Sequence, residues 1–87
     1  MPTVSYSERF QKDFLELDAT LQNSVAGAIK TFMIDPRYPS LHFKKMKGHE
    51  NRYEMRVNDS FRITLSKNKD GVFILRRVGP HNVLKKP

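Results

Sequence analysis

The sequence predicts an α+β fold of β-α-α-β-β-β order, in which an N-terminal helical hairpin covers one face of an antiparallel C-terminal sheet. Two patterns carry that prediction. In the C-terminal half, Tyr53, Met55 and Val57 alternate with polar residues, and Phe61, Ile63 and Leu65 do the same after a short break. This is the period of two that marks half-buried strands. In the N-terminal half, apolar residues recur at helical spacing in two runs, separated by Asp18, Ala19 and Thr20.

Residues 3–6 form a short strand candidate that ends at Ser7, whose hydroxyl can cap a helix with Glu8 in its first turn. Phe10, Phe14 and Leu17 follow at i, i+4 and i+7, with Arg9, Lys12, Asp13 and Glu16 on the opposite side. A second stripe, Leu21, Val25, Ala28, Ile29 and Phe32, runs up to Asp35-Pro36. The proline stops that helix, because the residue before proline disfavours helical dihedrals. Residues 37–48 read as a loop punctuated by Pro39 and Gly48, tethered to the core by Leu41, Phe43 and Met46. His42, Lys44, Lys45 and Lys47 are then left at the rim of the sheet.

The register of the central hairpin can be argued from the same alternation. If both apolar sets share one face, Val57 lies opposite Phe61, Asn58-Asp59-Ser60 is the loop, and Arg56 falls opposite Arg62. Two guanidiniums then project from one face, and like charges facing each other across a sheet call for an anion between them. The third strand, residues 72–78, is apolar at its first four positions and so reads as an interior strand. Strict alternation sends Arg76 and Arg77 to opposite faces, so that only one of them joins the outer basic surface. Gly79-Pro80 ends the strand, His81 follows on a stiffened turn, and Val83 and Leu84 fold back on the core.

Eighty-seven residues suffice for one small domain, spanning positions 1–87. With no cysteine, thiolate chemistry and disulfides are excluded. No apolar run is long enough to span a membrane and the first ten residues lack a signal-peptide core, so a cytoplasmic protein is expected. The net charge of +7 is uneven: residues 1–41 hold four Lys/Arg against five acids, and residues 42–87 hold twelve against four. A basic strand half fits a polyanion, most often nucleic acid, and fits equally well a merely solvated surface.

Chemistry at such a surface can come from His81, the side chain type best suited to exchange a proton near neutrality. RNA cleavage needs a base for the 2′-hydroxyl proton, cations for the phosphorane, and an acid for the departing 5′-oxygen. Arg56, Arg62 and His81 supply cations and an acid. The substrate supplies the nucleophile, so no cofactor is required. His42, His49 and His81 lack helical ligand spacing, so no metal site is expected.

The strand-half motifs, "KKMKG" before the sheet, "YEMRVNDSFRITL" across the hairpin and "RRVGPHNVL" at the end, resemble those of the RelE/ParE superfamily of type II toxin–antitoxin toxins. The layout resembles that superfamily over essentially the whole chain. The hairpin and terminus are closest in style to the ribosome-dependent mRNA interferases RelE, YoeB and YafQ. By that resemblance Arg62 is the phosphate-stabilising arginine, His81 the general acid or base, and Arg56 a second anion-binding arginine. Lys44, Lys45 and Lys47 are the basic loop that grips mRNA or ribosomal RNA, Arg77 is a further RNA-binding candidate, and His42, Glu50, Glu54 and a lysine of the loop all remain open as the general base. The resemblance further implies cleavage of mRNA in the ribosomal A site, leaving a 2′,3′-cyclic phosphate. It also implies a cognate antitoxin in a hetero-oligomeric complex.

Two other functions stay open at this point. A ParE-like gyrase inhibitor would share the fold without needing the catalytic set, and a silent RNA-binding module would bind without cutting.

Overall fold

A computed structural model of the chain describes residues 2–87. β1 (Val4–Tyr6) leads into α1 (Glu8–Leu15), α2 (Ala19–Ile34) and a short 3-10 turn (Pro39–Leu41). β2 (Lys44–Lys45), β3 (Tyr53–Arg56), β4 (Phe61–Lys67) and β5 (Phe73–Pro80) follow, and a second 3-10 turn (His81–Lys85) closes the chain. The helices begin where short polar side chains can take up free backbone donors: Ser7 Oγ accepts the Phe10 N–H at 3.0 Å, and Asp18 Oδ1 accepts the Leu21 N–H at 2.8 Å. Each cap is worth about 1 kcal/mol. Asp35, extended at φ −153°, ends α2 ahead of Pro36.

The sheet order is β1-β5-β4-β3-β2, with β1 parallel to β5 and every other pair antiparallel. One face lies under the helical hairpin. There Phe10, Val25, Ile29 and Phe32 bury Met55, Ile63, Leu65, Leu75 and Val78 in one contiguous core. Leu41 and Phe43 tether the loop after α2 to that core, Phe43 stacking on Tyr53 with ring centroids 5.5 Å apart. Met46 is buried but stands outside the contiguous cluster.

The hairpin register is as the alternation requires: Arg56 pairs with Arg62, and the Val57 N–H donates to Phe61 O at 3.0 Å. Asn58 Oδ1 accepts the N–H groups of Ser60 and Phe61, closing the loop through its side chain. At the other end of the hairpin, Asn51 (φ 51°) does the work of a strand residue with its side chain: its Oδ1 accepts the Lys67 N–H at 3.0 Å and its Nδ2 donates to Lys67 O at 2.9 Å.

Four features depart from the sequence expectations. The lysine loop contains a strand, β2, too short for any periodicity to reveal. Gly79 and Pro80 extend β5 rather than ending it, with Pro80 opposite Phe61 at the last ladder position, where a missing N–H costs least. The β4–β5 register shifts between Thr64 and Leu65, so Leu75 faces Leu65 and Arg77 faces Thr64, with Arg76 as an extra residue between them. Leu75 and Val78 can then both enter the core although three positions separate them. Arg76 and Arg77 therefore lie together on the side away from the helices, contrary to strict alternation. Finally, Val83 is buried on the outer face and not in the core: it packs so close to Gly79, which pairs with Arg62, that a Cβ at Gly79 would sit 2.7 Å from Val83 Cγ1.

Candidate nucleic-acid site

The outer face of the sheet is organised in rows set by cross-strand pairing. One row is Arg56, Arg62 and Gly79; the next is Lys44, Glu54, Thr64 and Arg77. Residues in a row point to one face, so Arg56, Arg62, Glu54 and Lys44 share a surface. His81 is the second residue beyond Gly79, starts the C-terminal turn and is exposed. Pro80 (φ −59°, ψ 170°) joins it to the end of β5. The end of β3 and the start of β4 thus put two arginines at one edge of the outer face, and His81 follows the end of β5, the strand paired with β4.

The two guanidiniums are held differently. Arg62 Nη1 turns back on the hairpin loop, donating to Asn58 O at 2.6 Å and to Phe61 O at 3.0 Å. Arg56 lies 4.0 Å from the fully exposed Asp59 carboxylate, a pairing that water screens almost completely. Its Nε is buried and has no hydrogen-bond partner. The Arg56 side chain as a whole stays partly exposed beside a second cation, an arrangement that an oxyanion would stabilise.

Arg77, expected on the RNA-binding surface, is engaged elsewhere. Because β1 pairs only with Phe73, Ile74 and Leu75, the rest of β5 has a free edge, and α1 closes it with Asp13. Asp13 Oδ2 accepts from Arg77 Nε at 3.2 Å and from the Val78 N–H at 3.1 Å, while Asp13 Oδ1 accepts from Arg9 Nε at 3.3 Å. Arg77 is consequently neutralised and mostly covered, although with Asn82, Lys85 and Lys86 it still lines a small cleft beside the C-terminal turn.

No family model matches the chain, and no curated protein does. Solved structures do match. The RelB–RelE antitoxin–toxin complex from Methanococcus jannaschii superposes at TM-score 0.71 with 23% identity, over 93% of this chain and 94% of that one. YafQ from Escherichia coli strain BL21(DE3) gives TM-score 0.73 at 16% identity over 97% and 98% of the two chains. The YoeB dimer from Staphylococcus aureus gives TM-score 0.71 at 14% identity over 92% and 97%. The fold is that of the RelE toxins.

Within this RelE-like frame the lysines separate. Lys44 pairs with Glu54 and shares its outer face, Lys45 pairs with Tyr53 and points the other way, and Lys47 is exposed in the turn beyond. The candidate bases other than the loop lysines separate as well. Glu54 lies one row from Arg56 and Arg62; His42 sits after the first 3-10 turn in a left-handed conformation (φ 46°), and Glu50 lies in the exposed turn before β3. Only Glu54 stands on the strand that carries Arg56.

Sequence reasoning missed Asp13, Asn51, Arg52 and Arg76. Asp13 reads as one more acid on the polar side of α1, and nothing local announces that β5 would bring it an unpaired N–H. Arg76 looked like an alternative to Arg77, and only the bulge makes them companions.

Proposed function

We propose that this chain is the toxin of a type II toxin–antitoxin pair, a single cytoplasmic domain that cuts mRNA in the ribosomal A site. The observation that carries the reading is the row Arg56–Arg62–Gly79, with His81 just beyond it, on the face the helices leave open in a RelE-like fold. Glu54 takes the proton of a substrate 2′-hydroxyl, whose oxygen attacks the adjacent phosphorus. Arg62 and Arg56 neutralise the charge that grows on the non-bridging oxygens, Arg62 exchanging its two carbonyl acceptors for phosphate oxygen. His81 donates a proton to the departing 5′-oxygen, so the products are a 2′,3′-cyclic phosphate and a free 5′-hydroxyl. The nucleophile belongs to the substrate, so this chemistry asks no metal of the protein. Lys44 and Lys47 extend the cationic track for RNA or ribosome.

A cognate antitoxin is the second part of the reading. The excess of positive charge suits an acidic partner. An apolar groove of about 520 Å³ between the helices and β1, lined by Phe10, Phe14, Leu15, Ile29 and Met33, suits a helix from it. The test is cleavage mapping on translating ribosomes together with growth inhibition, comparing the parent protein with Arg62→Ala and His81→Ala at equal expression. Loss of both readouts supports the reading. Unchanged toxicity in both variants overturns it, and inhibition of DNA supercoiling by those variants would select gyrase instead.

A further inference from the structure

The outer face takes up Lys44 and leaves Lys45 over. Lys45 pairs with Tyr53, whose ring packs against the core, so its side chain stands on the helix side of the sheet. Lys67, at the last ladder position of β4, pairs with Phe73, a second ring packed against the core, and lies on that side too. Its ammonium group agrees with that direction: Nζ sits 5.4 Å from the centre of the Phe73 ring. β3 runs between the two lysines, so their backbones stand two strand spacings apart, roughly 10 Å across the sheet.

Three rings share this end of the helix side. Phe43 stacks on Tyr53, and Phe73 meets both edge to face, with centroids 5.7 Å from Phe43 and 5.5 Å from Tyr53. Phe32 of α2 covers Phe43 and Phe73 from within, yet all three rings are only half-buried. Lys45 and Lys67 are exposed, and exposed Lys69 adds a cation in the turn after β4. Among the described residues the ion pairs involve arginines alone, so Glu50 and Asp70, the acids of the adjoining turns, neutralise none of these lysines. Unpaired cations around partly exposed rings are what holds single-stranded nucleic acid, the ammonium groups taking phosphates and the rings taking bases of any sequence. An acidic protein segment would use the lysines and leave the rings idle.

We infer that Lys45 and Lys67, with the Phe43, Tyr53 and Phe73 rings, form a second binding site for a single strand of nucleic acid, on the side of the sheet opposite the Arg56–Arg62 row. The two sides join at β2. Lys44 and Lys45 are neighbours on that edge strand and point to opposite faces, so a bound strand can pass round the edge from one face to the other. The site shares no residue with the arginine row and stands without the cleavage reading.

The test is a titration of the full chain, at several salt concentrations, with a short oligouridylate and separately with an oligothymidylate, which lacks the 2′-hydroxyl and cannot be cut. NMR follows the Tyr53 ring and the Lys45 and Lys67 side chains. These signals should move and saturate with both strands, and a response to one strand alone supports the site and names RNA or DNA as its ligand. Lys45→Gln and Lys67→Gln, both at exposed positions, should each lower the slope of log K against log salt by about 0.7, the counterion release per phosphate contact on a single strand. Arg62→Gln should leave the Tyr53 response intact, which separates this site from the one proposed for cleavage. Far-UV circular dichroism verifies folding, and the Lys45 variant decides the matter if the Lys67 variant does not fold. The inference is overturned if the Tyr53 ring stays still while the Arg62 Nε–H responds, or if both glutamine variants keep the parent slope. It is also overturned if polyglutamate moves the Tyr53 ring as far as the oligonucleotides do, because an acidic protein would then be the ligand.

Discussion

The carboxylate of Asp13 accepts the backbone N–H of Val78 at 3.1 Å, fastening the first helix to the open edge of the last strand. The same side chain, 11% exposed, holds Arg77 and Arg9. Asp13→Ala should leave a strand N–H and a mostly covered guanidinium without an acceptor, at a cost of about 1–3 kcal/mol in denaturant unfolding. Asp13→Asn, which keeps an acceptor for Val78, should lose less. Equal losses in the two variants would show that charge and not the backbone bond is what matters.

Cleavage on programmed ribosomes should fall by about 10²–10³ in Arg62→Ala, the size of effect seen when one donor to a developing oxyanion is removed. His81→Ala should cost about 10²–10⁴, the usual contribution of a positioned acid. A loss confined to KM, with the single-turnover rate unchanged, would assign His81 to binding.

Glu54 can be told from Glu50 and His42 by kinetics. Glu54→Gln should reduce single-turnover cleavage by about 10²–10⁴, whereas Glu50→Gln, in the turn before β3, and His42→Ala, just past the first 3-10 turn, should leave it near the parent rate. A large effect at His42 or Glu50 with none at Glu54 would move the base off β3.

Gly79→Ala should destabilise the protein by about 1–3 kcal/mol, because the new methyl group would meet Val83 Cγ1 at 2.7 Å with β4 behind it. Adding Val83→Ala should recover part of that loss. If thermal unfolding shows no such coupling, the C-terminal turn is not packed on the sheet as described.

What the sequence made legible was whatever depends on near neighbours. The cap at Ser7, the stop at Asp35-Pro36 and the pairing of Arg56 with Arg62 follow from spacing and turn chemistry within a few residues, and the structure has them. The same alternation placed Met55, Ile63 and Leu65 in the core. Illegible were the features decided between distant segments. Two lysines in an edge strand have no period to read, Asp13 acquires its partners from residues more than sixty positions away, and Val83 could have turned to either face of the sheet. The candidate site was legible as a set of residue types, and the choice among its bases was not, because Glu54 differs from Glu50 and His42 only in the strand beneath it.

The single extra residue in β5 sets the phase of everything downstream. Up to Leu75 the odd-numbered side chains of this strand turn inward; past Arg76 the parity inverts, and it is Val78 that turns inward. Gly79 owes its side of the sheet to that inversion. Drawing Arg76 into the ladder without the bulge would turn Arg77 and Gly79 inward and Val78 outward, so one unpaired position decides what the end of the strand presents to the open face.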